Sequence, residues 1–291
     1  MTSMNDLQRE MAKLFFRTDI KPSDILQTQL LKRRYFPKAL YKYRSCTTYA
    51  LENLKTSTIY CTTANTFNDP YDSAINFATP GISDLPEIED QLQEIDTSNP
   101  ELREAIREFL RARELENNHQ LVEDFNKFAQ SAYKICSFSE RVDSLLMWGH
   151  YGQNHTGFAM EYDFASLPPK DIMSLSLWPV FYGDKIFDIS EFVNSGMQAG
   201  FNNLYMIASA MHKAADWAYE HEWRVVIADG PAFVSRNMLA PLKAVHLGSK
   251  ISDLDEQAIV EIAKQINIPV YKMRLSRHEF KMESVSIDKV P

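Results

Sequence analysis

The sequence predicts an α+β fold in which a split, twisted mixed sheet is flanked by helices and carries an all-helical insertion. Three observations lead there. Runs with strand alternation, such as Leu40 to Arg44 and Glu222 to Ile227, recur along the chain. Between about Pro86 and Lys134 the composition shifts to Glu, Arg, Leu and Gln at helical spacing. Of the 291 residues, 45% are hydrophobic and 12% aromatic, enough to bury a sizeable core in one large body. The expected organisation is an N-terminal helical arm over residues 1–37 and a single domain over 38–291, with the insertion at about 86–134.

Taken in order, Met1 to Pro37 reads as partly amphipathic helix ending in the basic run Lys32-Arg33-Arg34. Leu40 to Arg44 alternates as a strand, a short helix follows around Tyr49 to Leu54, and Ser57 to Thr63 is a second strand. Asn68-Asp69-Pro70 is a turn, because Asn and Asp bond to their own backbone and Pro fixes φ. The helical insertion is expected to break at Asn99-Pro100 and Asn117-Asn118. Tyr133 to Ser139 is a strand, Asp143 or Ser144 caps a helix carrying Leu145 to Trp148, and strands follow at Thr156 to Tyr162 and Leu177 to Tyr182. Phe201 to Tyr219 places Phe201, Leu204, Tyr205, Ala208, Met211 and Ala215 on one stripe of a long helix. Glu222 to Ile227 reads as a central strand and Lys243 to Leu247 as another; a helix from Leu254 to Ile266 feeds a strand at Pro269 to Arg274, and a last strand falls within Glu279 to Ile287.

A formal net charge of -8 argues against a broad electrostatic surface for nucleic acid, although a local basic groove stays open. No apolar run approaches the roughly 20 residues that span a bilayer, and Met1 to Glu10 lacks a signal-like apolar stretch, so a cytoplasmic protein with no membrane partner is expected. Cys46, Cys61 and Cys136 are too few and too widely spaced for a disulfide framework or a CxxC knuckle; Cys61 and Cys136 are expected in core strands.

No glycine-rich phosphate loop, HExxH, GxSxG or EF-hand pattern occurs, and only 9 glycines are available to build one. His150 and His155 would point about 140° apart on a helix, a poor start for a metal site. Four clusters are richer in functional residue types than a core requires: Tyr41-Lys42-Tyr43-Arg44-Ser45, Phe67-Asn68-Asp69-Pro70, Met147-Trp148-Gly149-His150-Tyr151, and Trp217 to Arg224. In the last, strand alternation sets Glu222 and Arg224 on one face and Trp223, Val225 and Ile227 on the other. Each cluster also has a structural reading: an ion pair for Glu222-Arg224, a turn for Asn68-Asp69, core packing for the Trp148 helix, a solvated face for Lys42 and Arg44.

In order, these clusters resemble an uncharacterised bacterial domain family whose members read approximately LYKYR, FNDPxE, C-x-S, MWxHYxxxHxG, YExEWR and K-x-VxLG. Here the counterparts are Leu40 to Arg44, Phe67 to Pro70 with Asp72 in place of Glu, Cys136 to Ser139, Met147 to Gly157, Tyr219 to Arg224 and Lys243 to Gly248. More distantly, the chain is similar to the ADP-ribosyltransferase fold, especially its DNA-modifying toxins. That likeness implies Lys42 or Arg44 at the NAD-holding position of the first strand, Thr62 and Thr63 on the next, and Glu222 as the catalytic glutamate opening a late strand. The first position is not His, and Ser-Thr-Ser is replaced by Cys61-Thr62-Thr63.

The expectation is an NAD-using transferase or NAD glycohydrolase, in a toxin or phage-defence setting, with NAD as substrate and the acceptor (protein, nucleic acid or water) open. Glu222 would stabilise an oxocarbenium-like state, Lys42 and Arg44 the pyrophosphate, and Tyr43, Trp148 or Tyr151 would stack on a ring. Asn68, Asp69, His150 and Arg224 complete the expected binding set. Two other readings stand beside it: a metal-assisted phosphodiesterase or nuclease-like hydrolase on Asp69, His150, His155 and Glu222, and a non-catalytic nucleotide-sensing module. Because these polar clusters lie beside apolar segments that must be buried, Lys42, Asn68, His150 and Glu222 should converge on one concave site; at least one of Asn68 and Asp69 should bond the backbone while the other faces the site, and Glu220, in helical register with Lys213 and Trp217, should serve an ion pair.

Overall fold

The computed structural model describes residues 4–15, 20–77, 100–190, 207–227 and 237–287. The arm is a pair of helices, α1 (Met4–Phe15) and α2 (Pro22–Arg34). Pro22 sits in the first turn of α2, where a missing N–H costs nothing, and Lys32, Arg33 and Arg34 fill the last turn, where the helix dipole favours cations. The basic run docks the arm: the buried Lys32 ammonium donates to Leu175 O at 2.5 Å and lies 3.7 Å from the Trp178 ring centre, and Arg33 donates to Ser174 Oγ and Leu167 O. Burial pushes the Lys32 pKa well down.

The body is built from β1 (Leu40–Arg44), α3 (Thr48–Thr56), β2 (Thr58–Tyr60), β3 (Ile75–Asn76), α4 (Pro100–Ala132), β4 (Lys134–Ser139), α5 (Leu145–His150) and β5 (Phe158–Tyr162). There follow α6 (Ile172–Ser176), β6 (Leu177–Pro179), β7 (Phe181–Gly183), β8 (Phe187–Asp188), β9 (His212–Ala214), a 3-10 turn (Ala215–Glu220), β10 (Glu222–Ile227), β11 (Asn237–Leu239), β12 (Leu242–Leu247), α7 (Asp253–Gln265), β13 (Val270–Leu275) and β14 (Met282–Ser286). Eight strands form one sheet in the order β14-β13-β12-β5-β1-β4-β10-β6, antiparallel except for the parallel β12–β13 pair. This is the α+β fold with a mixed sheet expected from the sequence. No helix among the described residues is long and apolar enough to cross a membrane.

The sheet is split between β1 and β4. On one side β1 pairs with β5 through all of Leu40 to Arg44; on the other it meets β4 only at Tyr41↔Ser139. The edge of β4 so opened is satisfied in other ways, as buried backbone groups must be. Ile135 exchanges two backbone bonds with Thr62, and the Ser137 carbonyl accepts the Lys42 amine at 2.9 Å. The core packs around Phe138, Tyr162, Phe164, Trp223 and Val225, and it includes both Cys61 and Cys136.

Several boundaries differ from expectation, each for a tertiary reason. α4 starts at Pro100 but runs unbroken through Asn117-Asn118, a pair that a long helix tolerates at modest cost. Leu177 to Tyr182 divides at Val180 between two sheets, and the second expected strand shortens to Thr58–Tyr60 with a separate bridge at Thr62. The expected helix over Phe201 to Tyr219 lies partly outside the described residues; within them, 207–209 are helical and the chain then turns into β9 and a 3-10 turn. Ala208, Ser209, Ala210 and Met211 are all buried, which leaves no solvent face for an amphipathic helix, and Phe181 N–H pairs with Met211 O instead. β10 is next to the sheet edge rather than central.

Two glycines explain the end of the Met147-to-Gly157 segment. Gln153, Asn154 and His155 all have positive φ (50°, 53° and 70°), so the loop folds tightly onto the sheet. A Cβ on Gly157 would meet Arg44 O at 2.2 Å, and one on Gly248 would meet His155 O at 2.2 Å, so only glycine permits this approach.

Candidate functional site

The site grows from β10. Its alternation turns Glu222 and Arg224 to one face, as read from the sequence, and both are buried. Arg224 bonds Asp72 through two parallel contacts (Nη1–Oδ1 2.7 Å, Nη2–Oδ2 2.6 Å), Glu222 through Nε–Oε1 at 2.8 Å and Nη2–Oε2 at 3.1 Å, and Ala210 O at 2.8 Å. All five N–H donors of the guanidinium are thereby used. Lys213 on β9 adds a second cation, 2.6 Å from Glu220 Oε2 and 3.1 Å from Glu222 Oε2. His221, at φ 46°, makes the left-handed turn between the two glutamates that lets both reach one ammonium. Glu220 Oε1 accepts the Tyr151 hydroxyl at 2.6 Å, and Asn68 Nδ2 reaches that hydroxyl at 3.5 Å. Glu222 N–H is held by the Tyr182 hydroxyl at 2.8 Å.

Asp72, Lys213, Glu220, Glu222, Tyr151 and Asn68 line a cavity of about 150 Å3 where β1 and β4 part. Its walls are mostly apolar and aromatic, including Tyr41, Phe67, Phe138, Met147 and Tyr151, and its polar floor is Lys42, Asp72, Lys213, Glu220 and Glu222. The two glutamates titrate in opposite directions. Burial works against the Glu222 charge, but Arg224 and Lys213 outweigh it and hold the carboxyl well below the usual range. Burial raises Glu220, the Glu222 charge raises it further, and Lys213 offsets only part of this. Burial also lowers Lys42, so its charge is less firmly held than that of an exposed lysine.

Of the residues singled out in the sequence, Lys42, Tyr43, Asn68, Tyr151 and Glu222 line this cavity. The others do not. Arg224 lies fully enclosed behind Glu222 with no donor left for a ligand, so it organises the acids rather than contacting anything in the cavity. Trp148 is also enclosed; its indole N–H bonds Val142 O and its ring meets Tyr43 edge-on at 5.0 Å, which makes it core. His150 is exposed and shares a hydrogen bond with the Tyr219 hydroxyl at 2.9 Å. Arg44 is half-buried at the end of β1, outside the lining, with its Nε unpartnered. Asp69 fixes the turn by accepting Tyr71 N–H at 2.9 Å, while Asn68 faces the cavity, the division of labour expected of that pair.

Asp72, Lys213 and Glu220 stand outside the catalytic and binding set expected from the sequence, yet they line the cavity. Asp72 stands at the acidic position of the FNDP segment, and the two parallel hydrogen bonds it accepts from Arg224 join that segment to the EWR segment. The ion-pair role expected of Glu220 is filled by Lys213, but a strand and a 3-10 turn bring the two together, not a helix.

Residues 147–225 match the family described as "Protein of unknown function (DUF2971)". The resemblance to an uncharacterised family stands on that stretch. Within the DUF2971 match fall Tyr151, Lys213, Glu220, Glu222 and Arg224, whereas Lys42 and Asp72 precede it. No curated protein and no solved structure matches the chain.

Proposed function

We propose that the cavity cleaves the bond between a ribose and its nicotinamide in NAD, as an ADP-ribosyltransferase-like transferase or an NAD glycohydrolase. One observation carries the reading: two buried carboxylates meet on a single lysine in an aromatic-walled cavity, with their proton affinities driven apart. Such a divergence marks an acid/base assignment. Glu222 stays ionised and places a fixed negative charge beside the oxocarbenium-like state; Glu220 holds or releases a proton. The C–N electron pair leaves with nicotinamide, which becomes neutral, and the incoming hydroxyl or water passes its proton to Glu220. A cavity of about 150 Å3 takes one aromatic ring, so the nicotinamide would sit inside and the remaining nucleotide outside.

The metal-assisted alternative finds less support. Among the described residues no group of three or more His, Cys, Asp or Glu is arranged to hold a metal, and Asp72, Glu220 and Glu222 are already engaged by Arg224 or Lys213.

The test is nicotinamide release from NAD by the wild type, Glu220→Gln and Glu222→Gln at equal folded fraction, with NAD affinity measured by calorimetry. Release that falls in both variants while affinity holds supports the proposal. Binding without release transfers the protein to the nucleotide-sensing class, and neither binding nor release removes NAD altogether.

A further inference from the structure

We propose that Ser284, His246 and Glu161 form a second, nucleophilic centre that hydrolyses short-chain or aryl carboxylic esters. The three side chains come from β14, β12 and β5 and meet on one face of the sheet, across Tyr41 from the cavity. Ser284 Oγ lies 3.1 Å from His246 Nδ1, and His246 Nε2 lies 2.8 Å from Glu161 Oε2. A hydroxyl within reach of a base that is itself oriented by a third group is the arrangement that activates a serine, and it is recognised by geometry, not by chain order. The imidazole is fixed on both sides: it stacks on Tyr271 (centroids 5.0 Å, planes 16° apart) and Tyr41 meets it edge-on at 5.5 Å. Glu161 accepts at Nε2, which leaves the lone pair on Nδ1 facing the serine. Lys243 holds the other Glu161 oxygen at 3.1 Å, and with His246 keeps the carboxyl below its ordinary range, so the orienting group is charged.

The burial pattern suits the roles. His246 and Glu161 are buried, whereas Ser284 is exposed on the last strand of the sheet. Among the described residues the outer edge of β14 has no partner strand, and an edge strand presents backbone N–H groups that an oxyanion can use. In the reaction Ser284 Oγ bonds the ester carbonyl carbon as its proton passes to His246 Nδ1. The C–O bond to the alcohol then breaks, and the alkoxide takes that proton. Water repeats the sequence, releasing the acid and restoring the serine.

The experiment is reaction of the full chain with an alkyl fluorophosphonate at neutral pH, followed by intact-mass measurement and peptide mapping. The P–F bond breaks, an O–P bond forms at Ser284, fluoride leaves and His246 takes the proton. One phosphonyl group on Ser284 is expected, absent in Ser284→Ala and formed on the order of a hundredfold more slowly in His246→Ala and in Glu161→Gln, the latter keeping the shape of the side chain if the former fails to fold. Hydrolysis of p-nitrophenyl acetate should follow the same ranking. No label on Ser284, or equal labelling rates in folded Glu161→Gln and wild type, overturns the proposal. Neither outcome depends on nicotinamide release.

Discussion

Two buried charge clusters flank β1, and they are built to different rules. On the β4–β10 side, Asp72, Arg224, Glu222, Lys213 and Glu220 close on one another, with every donor of Arg224 used and side-chain exposures of 0 to 6% for Asp72, Arg224, Glu222, Lys213 and Glu220. On the β5–β12 side, Glu161 and His246 are buried but the cluster ends in Lys243, 53% exposed, and in the exposed Ser284. Charges that water can reach are partly replaced by water when a partner is lost; enclosed ones are not. The first cluster should therefore be fragile to single substitutions and the second tolerant.

The largest effect expected from that contrast is at Arg224. Arg224→Met fills much of the volume but strands Asp72 and Glu222 without their cation, and removing one partner of a buried pair costs about 3–5 kcal/mol. The midpoint of denaturant unfolding measures it. A loss below about 1 kcal/mol would mean that water or a proton enters the cluster readily, and the contrast between the two sides would vanish.

Next comes the chemistry. Glu222→Gln removes the fixed charge, and nicotinamide release should slow by about a hundredfold, roughly 2.7 kcal/mol of barrier, with NAD affinity changing far less. Equal rates would take Glu222 out of the mechanism and leave it as an ion-pair partner only.

The two glutamates also carry opposite pH signatures. Glu222, depressed in the folded state, contributes stability that is full above its ordinary value of 4.5 and lost as pH falls toward its folded value. Glu220, raised in the folded state, does the reverse: its contribution is full below 4.5 and lost as pH rises through the folded value. Stability measured against pH should thus fall less steeply above 4.5 in Glu220→Gln than in the wild type. Parallel curves would show that Lys213 offsets both the burial of Glu220 and the Glu222 charge beside it.

A smaller effect separates neighbouring turn residues. Asp69→Ala loses the bond to Tyr71 N–H and should cost about 1 kcal/mol in thermal or denaturant unfolding, while Asn68→Ala, whose side chain faces the cavity, should cost less than half of that. The reverse ranking would show that the cavity-facing contact, and not the turn, holds the segment.

How much of this the sequence disclosed follows from what kind of signal each feature leaves. Strand alternation and capping residue types are local, so the shared face of Glu222 and Arg224, the β1 strand and a helix cap at Asp143 or Ser144 are readable from short windows, and the structure gives the cap to Ser144. The pairing of Asp72 with Arg224 spans 152 positions and leaves no local trace, so an acidic residue in the very segment quoted for the resemblance went unassigned. Lys213 is hidden for a different reason: apolar spacing over Phe201 to Tyr219 mimics a helix, and only the burial of Ala208 to Met211 on all sides shows that the period does not govern there. Trp148 and His150 were chemically suggestive types whose direction depends on a short helix packing Trp148 inward and leaving His150 outside. Likewise Ser284, His246 and Glu161 sit on three strands whose order in the sheet no local pattern encodes.

The smallest expected effect is the sharpest check on the comparison. Lys243→Ala removes the one cation of the β5–β12 cluster that reaches solvent; its bond to Glu161 Oε1 is 3.1 Å, but half of its side chain is in water. Exposed pairs contribute about 0–1 kcal/mol, and water replaces the lost ammonium at Glu161 Oε1, so unfolding should shift by no more than a few tenths of a kcal/mol. Glu161 itself should still respond: with Lys243 gone, His246 alone holds its charge, and the Glu161 pKa, read by carboxyl NMR, should move up toward its ordinary value. A large loss of stability together with an unmoved carboxyl would place Lys243 in a packing role and make the two clusters alike after all.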